Sequence, residues 1–223
     1  MGKKRTINLK RLKRRNDRGT TLVEMIACFA LLGFFMACAA VLISNITSTY
    51  YTTKGEVYSR EVADIVLEKI VSEVDGAEFP TDPSLYPSIA ADHLSIDLCD
   101  KTDTHIIIRR NDNNNKLEIY YYEIGNPGDE NHRNESNWYF DDSVYNGFAV
   151  KGLRFYRGGD SIDSSLAAKY GLAGIDLSEY NDDVVLVLME MHSEKYGDYY
   201  FYRFIKMYNS PGSGGTGSGG SGN

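Results

Sequence analysis

The sequence contains few of the residues that cross-link a chain or break its helices and strands. Its 223 residues include three cysteines, five prolines and one tryptophan. Cys28 and Cys38 fall in an apolar stretch near the N-terminus, which leaves Cys99 alone in the rest of the chain. A disulfide within that remainder is therefore excluded, and so is a small disulfide-stapled domain. Without such staples, the part after the apolar stretch has to bury a sizeable hydrophobic core.

Residue sets that carry catalysis are also absent from the sequence. No two histidines have the i, i+4 spacing of a metal-binding helix. They are His93, His105, His132 and His192. Gly158-Gly159 lacks the other positions of a phosphate-binding loop, and Cys99 has the pattern of a small core residue rather than a nucleophile. We therefore predict that the protein is not an enzyme and that it has no cofactor.

Positive charge is concentrated before Gly19 and is scarce after it. Nine Lys or Arg residues and one Asp precede Gly19, so this segment carries +8 and the remainder −15, which together give the overall −7. Nucleic-acid phosphates require a basic face, which an acidic remainder does not supply. We predict no direct nucleic-acid binding.

A long uncharged run follows the basic segment. Met25 to Ile46 contains no charged residue over 22 positions. At about 1.5 Å per residue this run forms roughly 33 Å of helix, enough to cross a bilayer core. The basic cluster before it predicts a cytoplasmic N-terminus, and Tyr50 and Tyr51 follow it where interfacial aromatic residues are found. We predict a single-pass protein of the inner or cytoplasmic membrane with an exported C-terminal part.

Glu24 is an acid at the start of this apolar helix. A carboxylate deep in a membrane costs roughly 2 to 3 kcal/mol, so it needs a partner. The residues around it are Arg18-Gly19-Thr20-Thr21-Leu22-Val23-Glu24-Met25. This order, with a basic leader before Gly19 and an apolar helix after it, resembles the class III signal of type IV prepilins and pseudopilins. The resemblance covers roughly residues 1 to 75.

The resemblance implies a specific processing and assembly route. In that family a prepilin peptidase cuts after the glycine, here between Gly19 and Thr20, and the new N-terminus, here Thr20, is methylated. The apolar helix stays on the mature protein. Glu24 then pairs with the free amine of a neighbouring subunit. Because the buried carboxylate is tolerated only when it is paired, this contact fixes the register between the two subunits. Implied partners are other pilin or pseudopilin subunits, the peptidase, an assembly ATPase and a platform protein, and the implied location after assembly is a cell-surface filament.

One long helix is predicted over 20–76, after a leader peptide over 1–19, with the transmembrane part at about 25–46. Small residues recur on one face of the transmembrane part, which predicts close approach of another helix. They are Ala30, Gly33, Ala37 and Ala40. The second half has an apolar stripe at spacings of three and four, which predicts an amphipathic helix lying on a sheet. The stripe consists of Tyr58, Val62, Ile65, Val66, Ile70 and Val74.

The segment 77–209 is predicted to be an antiparallel β-sheet head domain, followed by a flexible Gly/Ser tail over 210–223. Alternation and turn residues predict seven strands. They are His93–Cys99, Thr104–Arg109, Lys116–Ile124, Trp138–Phe140, Phe148–Tyr156, Val184–Met191 and Tyr199–Met207. Gly125–Asn137 is predicted as a polar loop, and Arg157–Asp183 as a long excursion with a helical turn near Ser165–Tyr170. The fold class is α+β and pilin-like, with the helix packed on the sheet.

Two features of the head domain leave alternatives open. Asp160 and Asp163 lie in the acidic excursion, where they are either calcium ligands or part of a plain acidic loop. Tyrosines cluster at Tyr120-Tyr121-Tyr122 and again between Tyr196 and Tyr202. Such residues suit either a half-buried sheet or a binding face.

Three functions compete on these patterns. The first is a structural subunit, a minor rather than a major one, of a type IV pilus or a type II secretion-like pseudopilus. The second is an unprocessed single-pass anchor that carries an extracellular binding module. The third is a secreted domain, because Ala37-Cys38-Ala39 resembles a signal-peptidase site and predicts a cut after Ala39.

Overall fold

The structure, a computed structural model, describes residues 21–77, 88–100, 102, 104–124 and 132–207. Its first element is helix α1, Leu22–Gly76, with 55 residues. Ala, Leu and Met recur through its first half and no proline interrupts the helix, which allows its length. The chain divides into two compact units, Met1–Tyr50 and Tyr51–Asn223. The second half of α1 therefore belongs to the same unit as the sheets, and the predicted long helix is confirmed.

The second half of α1 is amphipathic. Its buried residues recur at spacings of three and four. They are Gly55, Ser59, Val62, Ala63, Val66, Leu67, Ile70 and Val74. Glu61, Asp64 and Glu68 face solvent as predicted. Ile65 was wrongly assigned to the buried stripe and is 42% exposed. The buried face of α1 also includes Ala63 and Leu67. Because successive residues are rotated by 100° around the helix axis, Ile65 lies outside this face.

The first sheet has five antiparallel strands in the order β1-β2-β3-β4-β5. They are β1 (Ser88–Ile89), β2 (Ser95–Cys99), β3 (Thr104–Asn111), β4 (Lys116–Ile124) and β5 (His132–Trp138). The predicted Asn-rich turn joins β3 to β4, where Asn111 pairs with Lys116. Asn115 takes a φ of 54° in this turn, a left-handed conformation that asparagine tolerates.

The second sheet has three antiparallel strands in the order β6-β7-β8. They are β6 (Ala149–Arg157), β7 (Val184–Ser193) and β8 (Gly197–Lys206). A one-turn helix, α2 (Asp142–Tyr145), precedes β6, and the long connection to β7 contains α3 (Ser164–Lys169) and a 3-10 helix (Leu177–Glu179). Val185–Met191 is buried throughout, because β7 is the central strand and is covered on both faces.

Two hydrophobic cores lie on opposite faces of the second sheet. The larger core packs α1 against both sheets, with Ile70, Leu117 and Phe155 fully buried. The smaller core lies under the connection between β6 and β7. It contains Tyr156, Ala167, Tyr170, Leu172, Leu177, Leu186 and Leu188. The acidic excursion predicted over Arg157–Asp183 is therefore a packed cover rather than a loop in solvent.

The two sheets meet along β6. The amide of Phe155 donates to the carbonyl of His93 at 2.9 Å, and the amide of Val150 donates to the carbonyl of Asn115 at 2.8 Å. His93 has a φ of 62°, and its ring stacks on Tyr156 with centroids 4.4 Å apart. This junction leaves β5 and β8 at the far sides of the two sheets.

The fold corrects three details of the predicted head domain. Two sheets form instead of one, because strand pairing depends on long-range contacts that local patterns do not specify. His132–Trp138 is a strand instead of part of a loop, and Trp138–Phe140 is not a strand. Strand β5 has a polar sequence without the hydrophobic alternation that predicts a strand. An edge strand can be polar because it pairs with only one neighbouring strand. The long helix and antiparallel strands nevertheless confirm the α+β class.

Gly55 lies where α1 packs against the β7–β8 hairpin. A Cβ atom at this position would collide with the Tyr199 hydroxyl and would lie 2.8 Å from the Cβ of Tyr196. We expect Gly55→Ala to lower the free energy of unfolding by about 1–3 kcal/mol through overpacking. Gly33→Ala is the matched control on the same helix, because its Cβ would meet nothing within 4 Å. Equal melting temperatures for the two purified variants in detergent would contradict this prediction.

Candidate functional site

The start of α1 is a capping box formed by Thr21 and Glu24. The Thr21 amide donates to Glu24 Oε2 at 2.8 Å, and the Thr21 hydroxyl donates to the same oxygen at 3.2 Å. In return, the Glu24 amide donates to Thr21 Oγ1 at 3.3 Å. These bonds satisfy backbone donors that a helix start otherwise leaves open. Sequence reasoning missed this role, although a threonine three residues before a glutamate is its signature.

Glu24 is thus a capping residue that still presents a carboxylate to its surroundings. Among the described residues, two hydrogen bonds reach the carboxylate, both on Oε2, and Glu24 is exposed. The helix dipole favours a negative charge at this end by about 0.3–1 kcal/mol. An exposed anion in this position can attract a cation from another molecule. The predicted cleavage and methylation positions, Gly19 and Thr20, lie outside the described residues.

The first half of α1 exposes large apolar side chains all round. They include Leu22, Phe29, Leu31, Phe34, Phe35, Leu42 and Ile43. Contiguous apolar surface of this extent marks an interaction with a membrane or another protein. The helix is long and apolar enough to cross a membrane by length and composition.

The small residues predicted to form a helix-packing face lie in this exposed half. Ala30, Gly33, Ala37 and Ala40 are all exposed. A Cβ at Gly33 would touch nothing within 4 Å, so contacts within this chain give no reason for glycine there. A role in contacts with a second helix stays a prediction.

A charged network on the second sheet was not foreseen from the sequence. Glu190 on β7 lies 2.9 Å from Lys151 Nζ and 3.0 Å from Lys169 Nζ. Lys151 also lies 3.1 Å from Asp198, which lies 2.6 Å from His192 Nδ1. Burial would raise the pKa of Glu190, but hydrogen bonds and charge from the two lysines lower it below its ordinary value. The network ties α3 to the sheet beneath it.

Glu190 predicts a specific acid sensitivity. A carboxylate with a lowered folded-state pKa stabilises the fold above its ordinary pKa of 4.5, and that stability is lost as the pH falls. We therefore expect Glu190→Gln to be less stable than the parent protein near pH 7 and to approach it as the pH falls below 4.5. Chemical unfolding across that range measures the gap. Glu194→Gln, in the exposed β7–β8 turn, is the control, and a gap independent of pH would contradict the prediction.

A second buried polar group lies on the face of the first sheet that points away from α1. His105 pairs with Cys99 in register across β2 and β3, and its Nδ1 lies 3.5 Å from Asp97 Oδ1. The Tyr122 hydroxyl donates to Asp97 Oδ2 at 3.4 Å. Burial raises the pKa of Asp97, and His105 opposes that rise. Cys99 is 1% exposed, which confirms its prediction as a core residue.

The calcium candidates Asp160 and Asp163 accept hydrogen bonds from nearby backbone amides. Within the ranges that the structure describes, no group of three or more His, Cys, Asp or Glu side chains is placed to hold an ion. Asp163 caps α3 by accepting from the amides of Ser165 at 2.9 Å and Leu166 at 3.2 Å. Asp160 accepts from the amide of Arg157 at 2.7 Å. Both carboxylates thus have structural roles in turns.

The tyrosines divide between packing and surface. Tyr121 packs on the main core and donates to Glu73 at 2.9 Å, and Tyr122 is buried on the opposite face. Tyr139 and Tyr202 are exposed. The half-buried alternative therefore holds for Tyr121 and Tyr122, and a binding role for the exposed tyrosines stays a prediction.

A cleft of about 440 Å³ lies where β3 meets β6. Its basic side chains are Arg109, Arg110, Lys151 and Arg154. Arg109 donates to Glu118 at 2.8 Å, and Arg154 donates to the carbonyl of Asp92 at 3.4 Å. These contacts hold two of the four cations on groups of the same chain.

Comparisons with protein-family models, with curated proteins and with solved structures give no match to this chain. Function is therefore inferred from the residues and the geometry of this chain alone.

Proposed function

We propose that the protein is a structural subunit, a minor one, of a type IV pilus or a type II secretion-like pseudopilus. The observation that carries this proposal is the run from Gly19 to Met25, with Glu24 as an exposed acid at the start of a long apolar helix. The architecture supports it, since one helix supplies an apolar half and a half packed on a β-sheet head. A minor position suits a large head without a disulfide.

In this proposal the peptidase cuts after Gly19 and leaves Thr20 as the first residue. The free amine of one subunit then pairs with Glu24 of a neighbour inside the helix bundle. Each charge removes the cost of burying the other, so pairing is favourable in one register only. Contacts of this kind are head-to-tail and repeat without closing, which is how filaments grow.

The continuity of α1 weighs against the secreted-domain alternative. The helix runs through Ala37, Cys38 and Ala39 into the half that packs on the head. A cut after Ala39 would therefore fall inside α1 and would leave Glu24 without a role. An unprocessed membrane anchor keeps the whole helix, so it differs from a pilin only in its N-terminus and its assembly.

The test is the N-terminal residue and intact mass of the protein from cells with and without a prepilin peptidase. A start at Thr20 that disappears without the peptidase is the expected result. A start at Ala40 would make the protein a secreted domain. A start at Met1 in peptidase-competent cells would leave a plain membrane anchor.

A further inference from the structure

Two strands end a sheet without a neighbour among the described residues. They are β5 in the first sheet and β8 in the second. The other two end strands are β1 and β6. Strand β1 has only two residues, and backbone amides of β6 donate to the carbonyls of His93 and Asn115. An open strand edge presents a row of backbone N–H and C=O groups that can pair with another chain.

The two open edges run in opposite directions along α1. Tyr199 of β8 lies beside Gly55, and Arg203 lies 2.9 Å from Glu68, so β8 runs with the helix. On the other side, Lys69 Nζ lies 4.6 Å from the Trp138 ring centroid. Glu73 bonds to Tyr121, which pairs with Ser136, so β5 runs against the helix. When two copies share one helix direction, β8 of one copy and β5 of the next are therefore antiparallel.

The two edges also match in their position along α1 and in the side chains that they present. Arg203 and Trp138 contact adjacent residues of α1, Glu68 and Lys69, and both lie on the face that packs on the helix. In unstaggered neighbours Arg203 is therefore opposite Trp138, a pairing of a cation with an aromatic ring. Antiparallel counting then places Lys206 opposite Glu135, which are opposite charges. It also places Tyr202 opposite Tyr139, the first residue after β5, and both are exposed. Cross-strand pairs of these kinds stabilise sheets.

We propose that copies of this chain pair edge to edge through their head domains, β8 of one copy with β5 of the next. Because the two edges differ, the contact is heterologous and repeats into a row. It rests on the proposed function for the shared orientation of the copies.

Cysteine cross-linking of the full chain in membranes tests this pairing. The background carries Cys28→Ser and Cys38→Ser, while Cys99 is buried and stays. Directly opposite residues of an antiparallel pair lie within disulfide reach. A chain with both Glu135→Cys and Lys206→Cys should therefore give a ladder of dimers, trimers and larger species on mild oxidation. Either single variant should remain monomeric.

A second pair and a control keep the test decisive. Tyr139→Cys with Tyr202→Cys should give the same ladder if the first pair disturbs the head. Asn114→Cys with Lys206→Cys should give none, because the β3–β4 turn does not belong to either edge. Absence of a ladder from both edge pairs would overturn the proposal, and so would a dimer from Lys206→Cys alone, which would mean a β8–β8 contact.

The same cells separate this inference from the proposed function. A protein that starts at Thr20 and enters filaments but gives no ladder would refute the edge pairing alone. A ladder from an uncut protein would support the pairing and refute the filament role.

Discussion

A Glu24→Gln variant is expected to be cut normally after Gly19 and yet to be lost from filaments. Glutamine has the same shape and can still accept from the Thr21 amide, so the start of α1 keeps its capping bonds. It carries no charge to pair with the amine of a neighbouring subunit. Removing one partner of a buried ion pair costs about 3–5 kcal/mol. Since each 1.4 kcal/mol is tenfold, incorporation should fall by a factor of about a hundred or more.

The measurement compares the fraction of each variant in sheared filaments with the fraction left in membranes, alongside the parent protein. Thr21→Ala is the matched control, because it removes the capping hydroxyl and leaves the carboxylate. Loss of such a cap costs about 1 kcal/mol, so its effect on incorporation should be much smaller. If Glu24→Gln entered filaments as the parent does, the acid would serve only as a cap.

The features that sequence alone predicted are those set by local periodicity. Helix α1 follows from an uncharged run and then an apolar stripe, and both signals are complete within the helix itself. The hairpin of β3 and β4 was predictable because the Asn-rich turn lies between its strands. The helical turn near Ser165 formed as α3, capped by Asp163.

What the sequence did not predict depends on contacts between distant residues. Lys151, Lys169 and Glu190 meet only after β6, α3 and β7 have packed together. The junction of the two sheets includes the contact between His93 and Phe155, 62 positions apart. Strand β5 was missed for a different reason. As an edge strand it buries little apolar surface, so selection for a hydrophobic alternation is weak there.

The second large effect concerns the packing of α1 on the head. Ile70→Ala is expected to lower the free energy of unfolding by about 2–5 kcal/mol, because Ile70 is 0% exposed and its removal leaves a cavity between the helix and the sheets. For a protein of this size that corresponds to a melting temperature lower by about 5–15 °C. Thermal unfolding of the purified protein in detergent, followed by circular dichroism, gives the value.

Ile65→Ala provides a control with the same chemistry on the same helix. Ile65 is 42% exposed, so its truncation removes less buried surface and should change stability by no more than about 0.5–1 kcal/mol. The contrast isolates burial from helix propensity, because both variants make the same change in a helix interior. Equal losses at the two positions would mean that the outer face of α1 is also covered, as it would be in an assembly that persists in detergent. A small loss at both would mean that the helix does not depend on the head for its place.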